Sequence, residues 1–114
     1  TKRCNYPEFA IKAAKAVASG ECDKGILFCG TGIGIGIAAN KINGIRCVCC
    51  SDCYSAKLSR EHNNSNMLSL GARVVGYDLA KMIVKSWLDG VYEGGRHQAR
   101  IDQISSIEKH QTII

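Results

Sequence analysis

Apolar and polar positions alternate along the chain in blocks that predict helices and strands in turn. Pro7 suits the first turn of a helix, where its missing N–H has no partner to lose, and Phe9, Ala13, Ala16 and Val17 then recur on one face until Gly20 closes it. GILFC at 25–29 is a short, continuous apolar run of the kind a strand buried on both faces shows, and the glycine-rich stretch GTGIGIG follows at once. A small helix is predicted over 37–41 and a second buried strand over IRCVCC at 45–50. Residues 52–61 read as a polar helix carrying Tyr54, Leu58 and the group SREH. The third strand is predicted in two halves, MLSL at 67–70 and RVV at 73–75, on either side of Gly71. Asp78 caps a helix with the apolar stripe Leu79, Ile83, Trp87 and Leu88, closed by Gly90. After YEGG a last helix begins near Arg96, with Ile101, Ile104 and Ile107 at threefold spacing, and the tail 108–114 is expected to fray or to meet a partner. Such alternation predicts an α/β fold with a parallel sheet and right-handed crossovers. Three strands are few for a doubly wound sheet, and the chain opens on a helix where such folds open on a strand.

With 114 residues, 46% of them hydrophobic, and no internal repeat or low-complexity linker, the chain is expected to form one domain, 1–114, around one small core. No apolar run approaches the ~20 residues of a membrane span, and the start TKRCNYPEF carries no apolar leader, so the expectation is a soluble, cytoplasmic protein without a membrane partner. The net charge of +5 is spread thinly, with no three basic residues in a row, which argues against nucleic acid and suits a small anion such as a phosphate. Seven cysteines, an odd number, predict free thiols in a reducing compartment.

The passage from strand 25–29 through the glycine loop to a helix is the most informative part of the chain. Ligands of open α/β sheets bind at the carboxyl ends of strands, where helix N-termini point N–H groups outward, and Gly32, Gly34 and Gly36 would let backbone approach a ligand closely. The dinucleotide pattern G-x-G-x-x-G fails, since its third glycine falls on Ile35 or Ile37, and a Walker A loop fails for want of Gly-Lys-Ser/Thr. Asp52, about 20 residues on, keeps a dinucleotide reading open. A tight strand-to-helix turn without a ligand is the plain alternative. Cys29 opens the loop, where amide N–H groups favour a thiolate able to act as base or nucleophile; taken singly, a cysteine there also serves as a small buried hydrophobe. Cys47, Cys49, Cys50 and Cys53 form C-x-C-C-x-x-C, but strand geometry sends Cys50 to the face opposite Cys47 and Cys49, so convergence on one metal ion is not expected. His62 is placed for proton transfer near neutral pH, or is a solvated surface histidine. Arg96 and Arg100, four apart at a helix start, could clamp a phosphate with His97 as a third donor, or form structural salt bridges. No role is expected for His110.

Three long strings carry a family resemblance: CGTGIGIGIAANKINGIR (29–46), YSAKLSREHNNSNMLSLGARVVG (54–76) and YEGGRHQARID (92–102). They resemble the ribose-5-phosphate isomerase B family, whose wider group includes galactose-6-phosphate isomerase subunits, and SREHN with EGGRHQ is closer to the ribose-phosphate branch. The match runs from residue 6 to about residue 108. The resemblance implies a Rossmann-like, three-layer α/β/α fold with a parallel sheet. It also implies an aldose–ketose isomerase that interconverts ribose 5-phosphate and ribulose 5-phosphate through a cis-enediolate, without metal or other cofactor. Homodimers or homotetramers with shared active sites are implied as well. By resemblance Cys29 is the base; Gly30, Gly32, Ile33 and Gly34 belong to the loop whose N–H groups hold the enediolate oxygen; Thr31 lines the site with its hydroxyl. His62 opens the sugar ring with Asn63 as its hydrogen-bonding neighbour, both reaching the site from the adjacent subunit, and Arg73, Arg96 and Arg100 bind phosphate.

Two departures accompany the resemblance. The family opens with a strand ending in an Asp-His pair, then a helix and a second strand, a unit of about 35 residues that this sequence does not contain. The domain is therefore expected to be N-terminally incomplete, with three strands where the family uses five, a further strand belonging beside residues 26–29, and activity reduced. Asn5 stands where the family has Asp. The alternatives are a catalytically inactive phosphosugar-binding or structural remnant, an isomerase of another aldose phosphate, and a dinucleotide-binding module.

Overall fold

A strand buried along its whole length organises the computed structural model, which describes residues 6–109. This strand, β3 (Met67–Gly71), is buried at all five positions and lies between β1 (Gly25–Cys29) and β2 (Cys47–Cys49) in a parallel sheet of order β1-β3-β2. In the register, Gly25 and Cys47 both sit opposite Met67, and Cys29 sits opposite Gly71. The sheet thus has an amino edge at residues 25, 47 and 67 and a carboxyl edge at Cys29 and Gly71.

Alternation along β3 feeds two separate cores. Met67 packs with Ala10, Ala14 and Val17 of α1 (Tyr6–Ala18) and with Ile35 and Ala39 of α2 (Ile33–Asn40). Leu68 and Leu70 point the other way, to Ala56 of α3 (Cys53–Asn63) and to Ile83 and Trp87 of α4 (Tyr77–Asp89). With α5 (Arg96–Glu108) against α3, the result is a three-layer α/β/α sandwich, the Rossmann-like arrangement expected. α3 starts where the Asp52 carboxylate accepts the Ser55 N–H at 2.6 Å and stops where Asn64 turns left-handed at φ 47°.

Several local expectations are corrected. α2 begins at Ile33 and not at residue 37, because Gly32 at φ 82° reverses the chain and the Thr31 hydroxyl accepts the Ile33 N–H at 3.2 Å. Residues 73–75 form a turn and no strand: the N–H groups of Val74 and Val75 both donate to the Gly71 carbonyl, at 2.9 and 3.0 Å. β2 is shorter than 45–50. The buried face of α1 is Ala10, Ala14 and Val17, while Phe9 is 54% exposed and Ala16 half-buried, because the helix meets the sheet along the Ala10–Ala14–Val17 row and Phe9 falls beside it. On α4 only Ile83 and Trp87 of the predicted stripe are buried, and Ile104 and Ile107 of α5 are exposed. Asn5, His110 and most of the predicted tail lie outside the described residues.

A buried polar chain fixes the turn after α3. The Trp87 indole donates to the Ser65 hydroxyl at 2.8 Å, the Ser65 and Ser59 hydroxyls share a hydrogen bond at 2.9 Å, and Ser59 donates to the Ala56 carbonyl at 2.7 Å. Ser65→Ala leaves the fully buried indole N–H without its acceptor, and should lower the unfolding free energy by roughly 1–3 kcal/mol in a denaturant titration.

Candidate active site

The carboxyl edge of the sheet places Cys29 at the mouth of the β1–α2 loop. The Gly32 N–H donates to the Cys29 sulfur at 3.1 Å, and the N–H groups of Ile35 and Thr31 and the Thr31 hydroxyl act on it in the same sense. Desolvation is the largest single influence and pushes the thiol up. The combined donors outweigh it, so the pKa is held below the ordinary thiol value and the thiolate is favoured, as a helix N-terminus dictates.

Packing explains why the loop must be so small. A Cβ on Gly32 would lie 2.7 Å from the Leu70 carbonyl carbon, one on Gly71 would lie 2.5 Å from the Thr31 oxygen, and one on Gly34 would strike the Tyr6 phenol at 2.5 Å. The expectation that Gly32, Gly34 and Gly36 leave room for a ligand is corrected: protein atoms fill those directions, Ser69 doing so at Gly36. Two of the loop N–H groups are already engaged, that of Gly32 on the Cys29 sulfur and that of Ile33 on the Thr31 hydroxyl. The turn after β3 closes over the loop, with the Ala72 N–H donating to the Cys29 carbonyl at 2.8 Å and the Arg73 N–H to the Gly30 carbonyl at 3.0 Å. The exposed Arg73 side chain consequently runs beside Gly30. A small cavity of about 200 Å³ lies next to this loop, lined by Thr31, Ile33, Cys49, Gly71 and Val74 among others. A larger cavity, about 960 Å³, is an apolar groove between Phe28 and α4 that touches none of the candidate residues.

The remaining candidates gather at the opposite edge. α3 runs back from the carboxyl edge, so His62 and Asn63 in its last turn reach the amino edge, where the Arg46 guanidinium donates to the Asn63 and Asn64 carbonyls at 3.1 and 3.0 Å. The Glu93 N–H donates to the Glu61 carbonyl at 2.9 Å, docking the start of α5 beside His62. His62 and His97 stack with ring centroids 4.3 Å apart, and both Nε2 atoms face the Glu93 carboxylate, at 3.8 and 3.6 Å. Arg96 and Arg100 are exposed on the first turns of α5, and among the described residues neither is in a salt bridge. Glu93 was not singled out in the sequence; its spacing of four from His97 is the signal that could have found it.

One protomer therefore does not bring the candidate residues together. Cys29, Thr31, the glycine loop and Arg73 stand at one end of strands that are four residue steps long, about 13 Å, while His62, Asn63, Arg96 and Arg100 stand at the other.

The other cysteines separate as strand geometry requires. Cys47 packs in the α1–α2 core and Cys50 in the α3–α4 core, while Cys49 is exposed with its sulfur 3.7 Å from the Thr31 carbonyl. Burial pushes the Cys47 and Cys50 thiols up to about 11. Alkylation by iodoacetamide, followed residue by residue by mass spectrometry across pH 6–10, should therefore modify Cys29 well before Cys47 and Cys50. The rate at Cys29 should rise with pH along a curve displaced to lower pH than that of an ordinary thiol, because a lowered pKa exposes the thiolate earlier.

An open parallel sheet with helices on both sides, and a thiol held toward its charged form at the carboxyl edge, is the architecture of an α/β enzyme. Comparison with known proteins makes this particular. The chain belongs to the Ribose/Galactose Isomerase family, which it matches over residues 1–104. It is 59% identical over 111 residues to ribose-5-phosphate isomerase B of Escherichia coli K12, a match that spans 97% of this chain and 74% of that one. It is 48% identical over 109 residues to the D-erythrulose-4-phosphate isomerase of Pectobacterium atrosepticum, spanning 93% of this chain and 72% of that one. The solved structure of ribose-5-phosphate isomerase B from Clostridium thermocellum superposes with a TM-score of 0.94 at 55% identity, covering 96% of this chain and 74% of the other. Among the described residues no helix is long and apolar enough to cross a membrane.

Proposed function

We propose that the protein is an aldose–ketose isomerase that interconverts ribose 5-phosphate and ribulose 5-phosphate. The observation that carries this reading is the Cys29 thiol, held below its ordinary pKa by loop donors at the carboxyl edge of the sheet, in a chain 59% identical to an enzyme named for that substrate. With the sugar in its open form, the Cys29 thiolate takes the proton from C2, and the electron pair moves through C1 to the carbonyl oxygen to give a cis-enediolate. The thiol returns the proton to C1, the proton of the C2 hydroxyl passes to the oxyanion on C1, and the C2 oxygen becomes the carbonyl, so no electrons leave the substrate and no redox cofactor is required. N–H groups of the loop 30–34 stabilise the oxyanion as it forms, those of Gly32 and Ile33 by exchanging their present partners, the Cys29 sulfur and the Thr31 hydroxyl, for it.

His62 opens the furanose ring by moving a proton between the ring oxygen and the anomeric hydroxyl, with Asn63 hydrogen-bonding the sugar. Arg73, Arg96 and Arg100 bind the phosphate through charge-assisted hydrogen bonds, consistent with their exposure and lack of acidic partners. Since His62 and Cys29 stand at opposite edges of one sheet, a complete site requires a second copy of the chain, which supports a homodimer whose two sites each draw on both subunits.

Coupled assays on ribose, allose, galactose and erythrose phosphates test the substrate. The expected result is the highest kcat/KM with ribose 5-phosphate. Phosphosugar binding without turnover of any of the four would overturn the enzymatic reading and favour a binding protein instead.

A further inference from the structure

His97 stands next to Arg96 in the first turn of α5, yet its side chain is buried while both arginines are exposed. Its ring lies flat against that of His62, with centroids 4.3 Å apart and planes 14° from parallel. The stack takes His97 out of the exposed row that Arg96 and Arg100 form and turns it to the last turn of α3. The outer torsion of a histidine side chain is broad, so a half-exposed imidazole at a helix end swings widely unless a neighbour fixes its plane. The Glu93 carboxylate does not do so, since it lies 3.8 Å from the His62 Nε2, beyond hydrogen-bond distance. We propose that His97 is a positioning residue for the isomerisation, its buried ring being the platform that sets the plane of the His62 imidazole. The inference rests on the ring-opening role of His62 proposed above.

The platform is itself held by backbone. Gly94 and Gly95, both at positive φ, reverse the chain before α5, and the His97 N–H donates to the Gly94 carbonyl at 3.2 Å. The Glu93 N–H donates to the Glu61 carbonyl at 2.9 Å, which ties this turn to α3 one residue before His62. One short piece of chain thus carries both Arg96 and the surface on which His62 rests. Proton transfer needs its partners within about 2.6–3.2 Å, and a displacement of ~1 Å can cost about 10²-fold. Loss of the platform should therefore slow ring opening and leave the Cys29 thiol, which is held by a different loop, able to move its proton.

Ribulose 5-phosphate separates the two steps. Its C5 oxygen carries the phosphate, so it has no furanose form, and in D2O the Cys29 thiol should exchange its C1 hydrogen for deuterium through the enediolate without any ring opening. NMR follows that exchange, and a coupled assay follows net conversion of ribose 5-phosphate. His97→Leu, which keeps bulk but not a flat ring, is expected to lower net conversion by about tenfold or more while exchange stays within about twofold of the native rate. His62→Ala should show the same split more strongly, and His97→Phe, which restores a flat ring, should recover most of the conversion. Conversion unchanged in His97→Leu, or conversion and exchange lost together in it, would overturn the inference and leave the role of His62 standing as long as His62→Ala shows the split. No split in His62→Ala would overturn that role itself, and the inference with it.

Discussion

Cys29→Ala is expected to lower turnover by about 10²–10⁴, the range for loss of one positioned acid–base group, with little change in affinity for the phosphosugar. The split between kcat and KM follows from where the thiol sits. Its sulfur is bound by the Gly32 N–H and stands at the end of β1, at the opposite end of the sheet from Arg96 and Arg100 of the same copy. Removing it takes away a proton carrier and leaves the phosphate contacts in place. In the native protein kcat/KM should rise with pH through the Cys29 titration, at a lower pH than an ordinary thiol would give, since the donors around the sulfur favour its charged form. Steady-state kinetics of both proteins across pH 6–10 check both statements. A Cys29→Ala protein that keeps most of native turnover would return this residue to the role of a small packing side chain.

Arg96→Ala and Arg100→Ala are expected to act on the other parameter. Each removes a charge-assisted hydrogen bond to phosphate, worth roughly 1.5–3 kcal/mol, so KM should rise by about ten- to a hundredfold with kcat less affected. Arg96→Lys should recover only part of the loss, because a lysine ammonium cannot reproduce the two-pronged geometry of a guanidinium. Titration with inorganic phosphate as a competitive ligand gives an independent reading. Unchanged phosphate affinity in both alanine variants would place the anion site elsewhere.

Much of this molecule was legible in its sequence, and the reasons differ from element to element. β1 and β3 were visible as short, mostly apolar runs between turn signals; β3 is buried at every position, whereas the expectation of burial on both faces fails for β1, whose Ile26 and Phe28 are exposed because no helix covers that face of the sheet edge. Cys29 stood out through its position alone, at the junction of such a run with a glycine loop. The start of α2 was hidden, because IGIGIA reads as a poor helix former, and only contact with the sheet, with Gly36 against Ser69, makes the helix favourable there. Residues 73–75 misled for the opposite reason: an apolar pair has strand character by composition, yet the Gly71 carbonyl gathers both N–H groups into a turn. Phe9 was misassigned because periodicity places a buried face only approximately, and α1 meets the sheet along the Ala10–Ala14–Val17 row, with Phe9 beside it. The meeting of His62 with Glu93 and His97 could not be read from spacing, since the docking of α5 on α3 brings it to residues more than thirty positions away.

The most direct test of the whole account is a heterodimer built from two defective subunits. Cys29→Ala and His62→Ala proteins carrying different affinity tags are co-expressed, and the mixed dimer is isolated by successive purification on both tags. If each site takes Cys29 from one copy and His62 from the other, one of the two sites in the mixed dimer carries both native residues. Its turnover of ribose 5-phosphate should then recover to about half that of the native dimer, although each parent is nearly inactive. A mixed dimer as inactive as its parents would contradict the account, showing either that Cys29 and His62 act from the same subunit or that the two do not share a site.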